Sequence, residues 1–308
     1  MSAIKRILVL GAGELGTQVL LSLAQHTHLG DIALAVLLRP STISSTLPEK
    51  LRELSLLRDH GIQTVPGDLV KDSQDSLAQI FRNYDTIIGC TGFVAGRGTQ
   101  IKLTRAVLAA EVPRYIPWQF GVDYDIIGRG SAQDLFDEQL DVRDLLRSQN
   151  STRWTIISTG MFISFLFSPS FGVLDLEGNS VCALGSWDTR VTVTAPEDIG
   201  RLTAEIVLSL NQNTAFDNRP IYVAGDTLSY AELAQIVEEV TGKSFSKSVR
   251  TVEAAKADLA REPENSLYKY QVVFGEGYGV AWDLSTTWNY KAGIKALSVE
   301  DYARRKLV

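Results

Sequence analysis

The chain reads as an α/β protein with a doubly wound parallel sheet, and two observations predict this. Over the first half of the 308 residues, short continuously apolar segments alternate with longer amphipathic ones, the pattern of buried parallel strands covered by helices on both faces. The first apolar segment, Ile7-Leu8-Val9-Leu10, runs into Gly11-Ala12-Gly13-Glu14-Leu15-Gly16. That is a G-x-G-x-x-G turn between a predicted strand and a predicted helix, the setting in which the motif carries meaning.

The elements follow in order. After the glycine turn a helix is expected from Thr17 to Ala24. Ile32 to Leu38 (IALAVLL) is a second buried strand, and Leu47 to His60 a charged amphipathic helix. Ile62 to Val65 is a short strand closed by Pro66-Gly67-Asp68. Helix Ser73–Arg82, strand Thr86–Gly89, helix Gln100–Ala110, a strand beginning at Tyr115-Ile116-Pro117, helix Asp134–Ser148 and strand Trp154–Ser158 complete the alternation. Beyond Phe162 the rhythm breaks. Phe165 to Gly172 (FLFSPSFG) reads as an aromatic loop, and Val181 to Val193 as a pair of strands. Pro196–Leu210 and Tyr230–Thr241 read as helices flanking a strand at Ile221-Tyr222-Val223. The expected organisation is a Rossmann-like dinucleotide-binding domain over 1–160, with return elements from about 190–225, and a smaller lobe over 161–308 that supplies substrate contacts.

Composition narrows the function classes. An apolar content of 45% and a charged content of 21% are those of an ordinary soluble protein. A formal charge of −6 argues against nucleic acid or an anionic membrane as the main partner. The apolar run near the start is too short for a signal segment, and no stretch is long enough to span a membrane. Cys90 and Cys182, far apart in apolar surroundings, read as small buried hydrophobes. The expectation is a reduced, cytoplasmic protein, monomeric or homodimeric, whose partner is a small molecule.

In the glycine turn, Gly11 permits the tight bend, Gly13 lets backbone approach a pyrophosphate, and Gly16 lets the helix pack on the sheet. The N–H groups around Glu14 and Leu15 then face the phosphates at the positive end of the helix dipole. The second strand ends Leu37-Leu38-Arg39-Pro40-Ser41-Thr42, and no Asp or Glu occurs between Asp31 and Glu49. The carboxylate that would bind the ribose 2′-hydroxyl of NAD is therefore missing. A guanidinium stands in its place, suited to a charge-assisted contact with a 2′-phosphate. Arg39, with the Ser41 or Thr42 hydroxyl and added charge from Lys50, selects for NADPH/NADP+ on this reading.

Taken together, the glycine turn with Leu37–Thr42, Gly67-Asp68-Leu69, Arg114-Tyr115-Ile116-Pro117-Trp118-Gln119-Phe120-Gly121, Ser158-Thr159-Gly160-Met161-Phe162, Glu197-Asp198-Ile199-Gly200-Arg201 and Thr227-Leu228-Ser229-Tyr230 form an ordered set. The chain resembles the NmrA-like group of atypical short-chain dehydrogenases, and within it the isoflavone reductase-like and aromatic alcohol reductase-like proteins. The resemblance implies NADPH as hydride donor and a flat aromatic or phenolic substrate. It also implies cofactor contacts from Thr91, Gly92 and Phe93 and from Gly160 and Phe162, and a pocket floor that includes Trp118 and Phe120.

Three departures from the family pattern stand out. Leu10 occupies the leading glycine of the family's turn, and Trp118-Gln119 replaces the usual Ser-Glu before Phe-Gly. The family's catalytic lysine stands three residues after a Phe on the long helix; counted from Phe136, that position is Gln139. An amide cannot titrate, so Gln139 can orient a carbonyl or a water but cannot act as acid or base. The proton donors left near the expected site are Tyr124, Asp123 or water. Tyr302-x-x-x-Lys306, near the end of the sequence, is read as a coincidence, and Asp198 as a helix-start residue. No His/Cys/Asp cluster has metal-ligand spacing, so no metal is expected. Phe165, Phe171 and Trp187, in the aromatic-rich run, are read as pocket lining able to stack on a planar substrate. Three readings remain open here: an NADPH-dependent reductase of an aromatic or polyketide-like molecule, a non-catalytic NADP(H)-binding regulator, and a non-redox dehydratase or cyclase.

Overall fold

The computed structural model describes residues 4–210 and 214–307. Strands are numbered along the chain. Seven of them, β1 (Arg6–Leu10), β2 (Ala33–Leu38), β3 (Gln63–Pro66), β4 (Thr86–Gly89), β5 (Arg114–Ile116), β6 (Arg153–Ser158) and β11 (Arg219–Tyr222), form one sheet in the order β11-β6-β5-β4-β1-β2-β3. β1 to β6 pair in parallel, with Val9 opposite Val36 on one side and Ile88 on the other. The expected doubly wound sheet is present. Its strand order reverses at β1, so a crevice opens beyond the carboxyl ends of β1 and β4, the switch point where ligands of such sheets bind.

Two compact units divide the chain: Met1–Gln119, Asp141–Ile157 and Ile199–Ile221 in the first, and Phe120–Leu140, Ser158–Asp198 and Tyr222–Val308 in the second. In the first unit, alternate strand residues Leu8, Leu10, Ile87, Tyr115 and Ile156 turn to one face, where Leu103 and Val107 of helix Thr99–Ala109 and Val142 and Leu146 of helix Leu135–Arg147 complete a core. Period two on the strands meets period 3.6 on the helices. Helix Pro196–Ser209 crosses behind helix Glu14–Ala24 at backbone distance: a Cβ on Gly200 would sit 2.6 Å from the carbonyl of Gln18.

Elements in the second unit depart from the sequence expectation. Val181 to Val193 does contain two strands, β9 (Ser180–Leu184) and β10 (Arg190–Thr194), but they do not pair with each other. β10 joins β7 (Met161–Phe162) and β12 (Asp226–Ser229), while β9 joins β8 (Leu174–Asp175) and β13 (Ser246–Arg250). The turn at Gly185, with φ of +76° and no room for a Cβ beside Gly275, sends the chain from one sheet to the other. Phe165–Gly172 is likewise not a plain loop; it holds the end of a helical turn, Ile163–Leu166, and a 3-10 turn, Pro169–Phe171. Helix Tyr230–Thr241 starts on a capping box, with Ser229 Oγ accepting from Glu232 N and the Glu232 carboxylate accepting from Ser229 N, and stops at Gly242. Cys90 is buried, and burial pushes its thiol up; Cys182 is partly exposed, since it sits on the outer face of β9.

Candidate functional site

The glycine turn is closed by contacts no larger residue permits. Gly11 has φ of +98°, and a Cβ there would meet Thr91 Oγ1 at 2.5 Å. One on Gly16 would collide with the Gly11 carbonyl. Gly13, by contrast, has nothing within 4 Å of its Cβ position and caps helix Glu14–Ala24 without a side-chain acceptor. The first-turn N–H groups thus receive no side-chain cap from Gly13, the arrangement in which a helix start can accept an anion. Around this turn, Thr91 Oγ1 donates to Leu10 O at 2.8 Å, Gln100 Nε2 donates to Thr91 O at 2.8 Å, and Thr17 Oγ1 donates to Ala12 O at 3.1 Å. Side chains thus engage the carbonyls of Leu10, Ala12 and Thr91 around the turn.

A cavity of about 480 Å³ opens beside the turn in the same unit. Gly11, Gly13, Arg39, Thr42, Lys50 and Thr91 line it, so these six predicted residues are brought together. Glu14, Leu15, Gly16, Ser41, Gly92 and Phe93 are not among its lining residues. Leu15 is buried and Ser41 is exposed. Gly92 is covered by the indole of Trp118, whose Cζ2 would lie 2.7 Å from an added Cβ, and the Phe93 ring meets the same indole edge-on at 4.6 Å. Trp118 therefore props the loop after β4.

Arg39 closes the turn after β2, where its carbonyl accepts from the N–H groups of Thr42 and Ile43 at 2.8 and 3.1 Å. Its guanidinium is exposed and makes no salt bridge among the described residues. Lys50 is paired instead: Nζ donates to both carboxylate oxygens of Glu53 at 2.9 and 2.8 Å. Asp68 also lines the cavity. The Lys71 backbone N–H, together with that of Val70 and the charges of Lys71 and Arg39, holds its carboxyl below the ordinary value against a smaller desolvation effect.

The second unit carries an aromatic array. Tyr124 meets Phe136 at 5.0 Å, Phe136 meets Tyr270 at 5.9 Å, Tyr270 meets Phe165 at 5.7 Å, and Phe165 meets Phe171 at 4.5 Å. Phe171 is fully enclosed, with Phe274 behind it at 5.9 Å. Phe165 and Trp187 keep exposed surface. Tyr270 is largely buried, and burial pushes its phenol up to about 12. The Tyr124 side chain is 2% exposed, and its hydroxyl lies against Gly121, where a Cβ would approach to 2.8 Å. Phe120 is buried too. Asp123 is not a free acid: Oδ1 accepts from Asp125 N at 3.1 Å and Oδ2 accepts from the Tyr222 hydroxyl at 2.6 Å. Gly160, at φ of +70°, packs against the Thr192 carbonyl and, with Thr159, donates its N–H to Gly121 O; Phe162 caps the turn that follows.

Gln139, Gln119 and Arg143 each have no exposed surface. Arg143 Nε donates to Gln119 Oε1 at 2.8 Å. Asp198 stands in the first turn of helix Pro196–Ser209, as its sequence setting predicts, and its carboxylate accepts from Leu297 N at 2.6 Å. The described residues contain no group of three or more His, Cys, Asp or Glu able to hold a metal. None of their helices is long and apolar enough to cross a membrane.

The NmrA-like family model matches residues 3–302. The chain belongs to the NmrA-like family. An NmrA-like family domain-containing oxidoreductase from Gibberella moniliformis is 50% identical over 299 residues, covering 97% of both chains. An isoflavone reductase homolog from Zea mays is 27% identical over 84% of this chain and 81% of its own. Among solved structures, the leucoanthocyanidin reductase–NADPH complex from Vitis vinifera superposes with a TM-score of 0.74 at 21% identity, covering 90% of this chain and 89% of that one. In this NmrA-like protein several cavity residues escape a reading by motif, Thr17, Glu53, Leu54 and Leu57, while Asp68 lies in the Gly67-Asp68-Leu69 motif, which by itself assigns it no site role. A signal for three of them existed. Lys50, Glu53, Leu54 and Leu57 repeat at i, i+3, i+4 and i+7, one face of a helix.

Proposed function

We propose that this protein is an NADPH-dependent reductase that transfers hydride to an aromatic or polyketide-like small molecule, at a carbonyl, an activated C=C or a benzylic centre. The observation that carries the reading is Arg39, an unpaired cation in a cavity that also contains the open amide turn at Gly13. A guanidinium that makes no salt bridge, and feels Asp68 only as a minor charge interaction, is a standing site for a phosphate. The residues fit the dinucleotide: Gly13 and the helix start receive its pyrophosphate, and Arg39 with Thr42 and Lys50 receives the 2′-phosphate. When bound, the reduced nicotinamide supplies the hydride.

The substrate is assigned to the aromatic array of the second unit. Phe165, partly exposed, is the ring assigned to stack on a planar molecule, with Phe171 enclosed behind it as a stiff backing, and Trp187, also partly exposed, is assigned as a separate stacking residue. Trp118 and Phe120 act indirectly, by shaping the segments on which they sit. Gln139 is a positioning residue: buried and unable to titrate, it can orient a group by hydrogen bonds but cannot exchange a proton. Tyr124 is packed away from solvent, so the proton that accompanies hydride comes from water. A benzylic or quinone-methide-like acceptor needs the least acid assistance and suits this arrangement best.

The test is loss of reduced-nicotinamide absorbance with a panel of aromatic ketones, enones and quinones. Turnover of NADPH with any of them supports the reading; binding of NADPH without turnover on the whole panel refutes the reductase. One observation favours a second reading in that event. Gln139, where the family keeps a lysine, suits an NADP(H)-binding regulator of the NmrA kind, which needs the cofactor but no proton chemistry.

A further inference from the structure

Two cations and two carboxylates line the cofactor cavity: Arg39, Lys50, Glu53 and Asp68. They are not equivalent. Asp68 is engaged by the N–H groups of its own turn, Val70 at 3.0 Å and Lys71 at 3.1 Å, and stays where it is. Glu53 is held only by Lys50, through a two-pronged pair whose side chains are 40% and 44% exposed. A pair this exposed is held weakly and is easily exchanged. Its cation is a compact charge with three donors on a flexible stem.

Building on the NADPH reading, we infer that Glu53 sets this protein's affinity for the 2′-phosphate by competing for Lys50. A phosphate monoester carries about −1.5 to −2 charges and three acceptor oxygens, so beside Arg39 it draws Lys50 away from a single carboxylate. Glu53 opposes this twice. It must give up its partner, and it then stands as an anion in the same cavity as the phosphate. NADH, which presents only a hydroxyl at that position, leaves the Lys50–Glu53 pair closed. The acid absent from the end of β2 is thus supplied from helix Pro48–Asp59, as a brake on NADPH and not as a ribose ligand for NADH.

Calorimetry on the full chain tests this with NADPH, NADH and adenosine 2′,5′-bisphosphate, using the natural protein, Glu53→Gln, Lys50→Met and the double variant. Glu53→Gln is expected to tighten NADPH and the bisphosphate by about fivefold, the upper range for exposed charge pairs, with NADH changed by less than about twofold. Lys50→Met is expected to weaken NADPH and to remove most of the gain from Glu53→Gln, because the two residues act as one unit. An unchanged NADPH affinity in Glu53→Gln, or an equal gain with NADH, overturns the inference. So does a full gain in the Lys50→Met background, which would make Glu53 a plain repulsive charge. These outcomes are separate from the cofactor reading, which falls only if the folded natural protein binds neither NADPH nor the bisphosphate.

Discussion

Replacing Arg39 by Ala removes one of the two cations in a cavity that also carries Glu53 and Asp68. Since Lys50 is already committed to Glu53, Arg39 is the charge immediately available to an incoming phosphate. A hydrogen bond to a charged group contributes roughly 1.5–3 kcal/mol. Arg39 is exposed, so water and salt screen it and the lower part of that range applies, about 2 kcal/mol. That corresponds to a Kd for NADPH raised about 30-fold. NADH has a neutral hydroxyl at the same position, and its Kd should move by less than about threefold. Titration calorimetry of both nucleotides against both proteins gives the comparison directly. Raising the salt concentration should narrow the difference between the two proteins for NADPH, since the screening length shrinks from about 10 Å at 0.1 M to about 3 Å at 1 M. Equal losses for NADPH and NADH, or a salt-independent difference, would refute the assignment of Arg39 as the phosphate selector.

Further outcomes follow from the geometry of single residues. Gly16→Ala drives a Cβ into the Gly11 carbonyl, so the turn must open; NADPH binding should be lost in calorimetry, with unfolding at a lower temperature, and a variant that binds normally would show the turn to be looser than described. Gln139→Ala leaves a buried polar site truncated and should destabilise the fold by about 1–3 kcal/mol in chemical denaturation. Its turnover should fall by less than the roughly 100-fold that marks loss of a general acid; a larger fall in folded protein would make the amide a direct participant. Tyr124→Phe keeps the ring on Phe136 and should leave turnover within about threefold, whereas a loss of about 100-fold or more would mark the phenol as the proton donor.

The middle of the central sheet was legible because its inner strands are buried on both faces and therefore mostly apolar, unlike the exposed edge strands β3 and β11. β1, β2 and β4 show it plainly: Ile7 to Leu10, Leu34 to Leu38 and Thr86 to Gly89 have little or no exposed surface. Helix Tyr230–Thr241 was equally plain, since Ser229 and Glu232 mark its start and Gly242 its end. β13 was invisible for the opposite reason. Its residues, Ser246-Lys247-Ser248-Val249-Arg250, are nearly all exposed and mostly polar, and only pairing with β9, more than sixty residues away, makes them a strand. The two strands read over Val181–Val193 are present, but that they belong to different sheets is set by the same kind of long-range pairing and was not readable locally. In the cavity, the glycine turn and Arg39 were readable from local spacing. Glu53 was only half readable: the spacing of Lys50, Glu53, Leu54 and Leu57 puts it on one helix face, but that this face lines the cavity depends on the packing of helix Pro48–Asp59, which local spacing does not give. The engagement of Asp123 by Tyr222, 99 positions further on, left no local trace at all.

The near-touching of two backbones at Gly200 and Gln18 bears on any attempt to re-engineer this protein. Transplanting residues 6–24 from a dinucleotide-binding protein would import the front of the glycine turn together with the rear surface of its helix. That rear surface must accept a neighbour lying at main-chain distance, which a bulkier side chain opposite Gly200 does not allow. Successful grafts should therefore be those that carry helix Pro196–Ser209 along with the turn, as a matched pair.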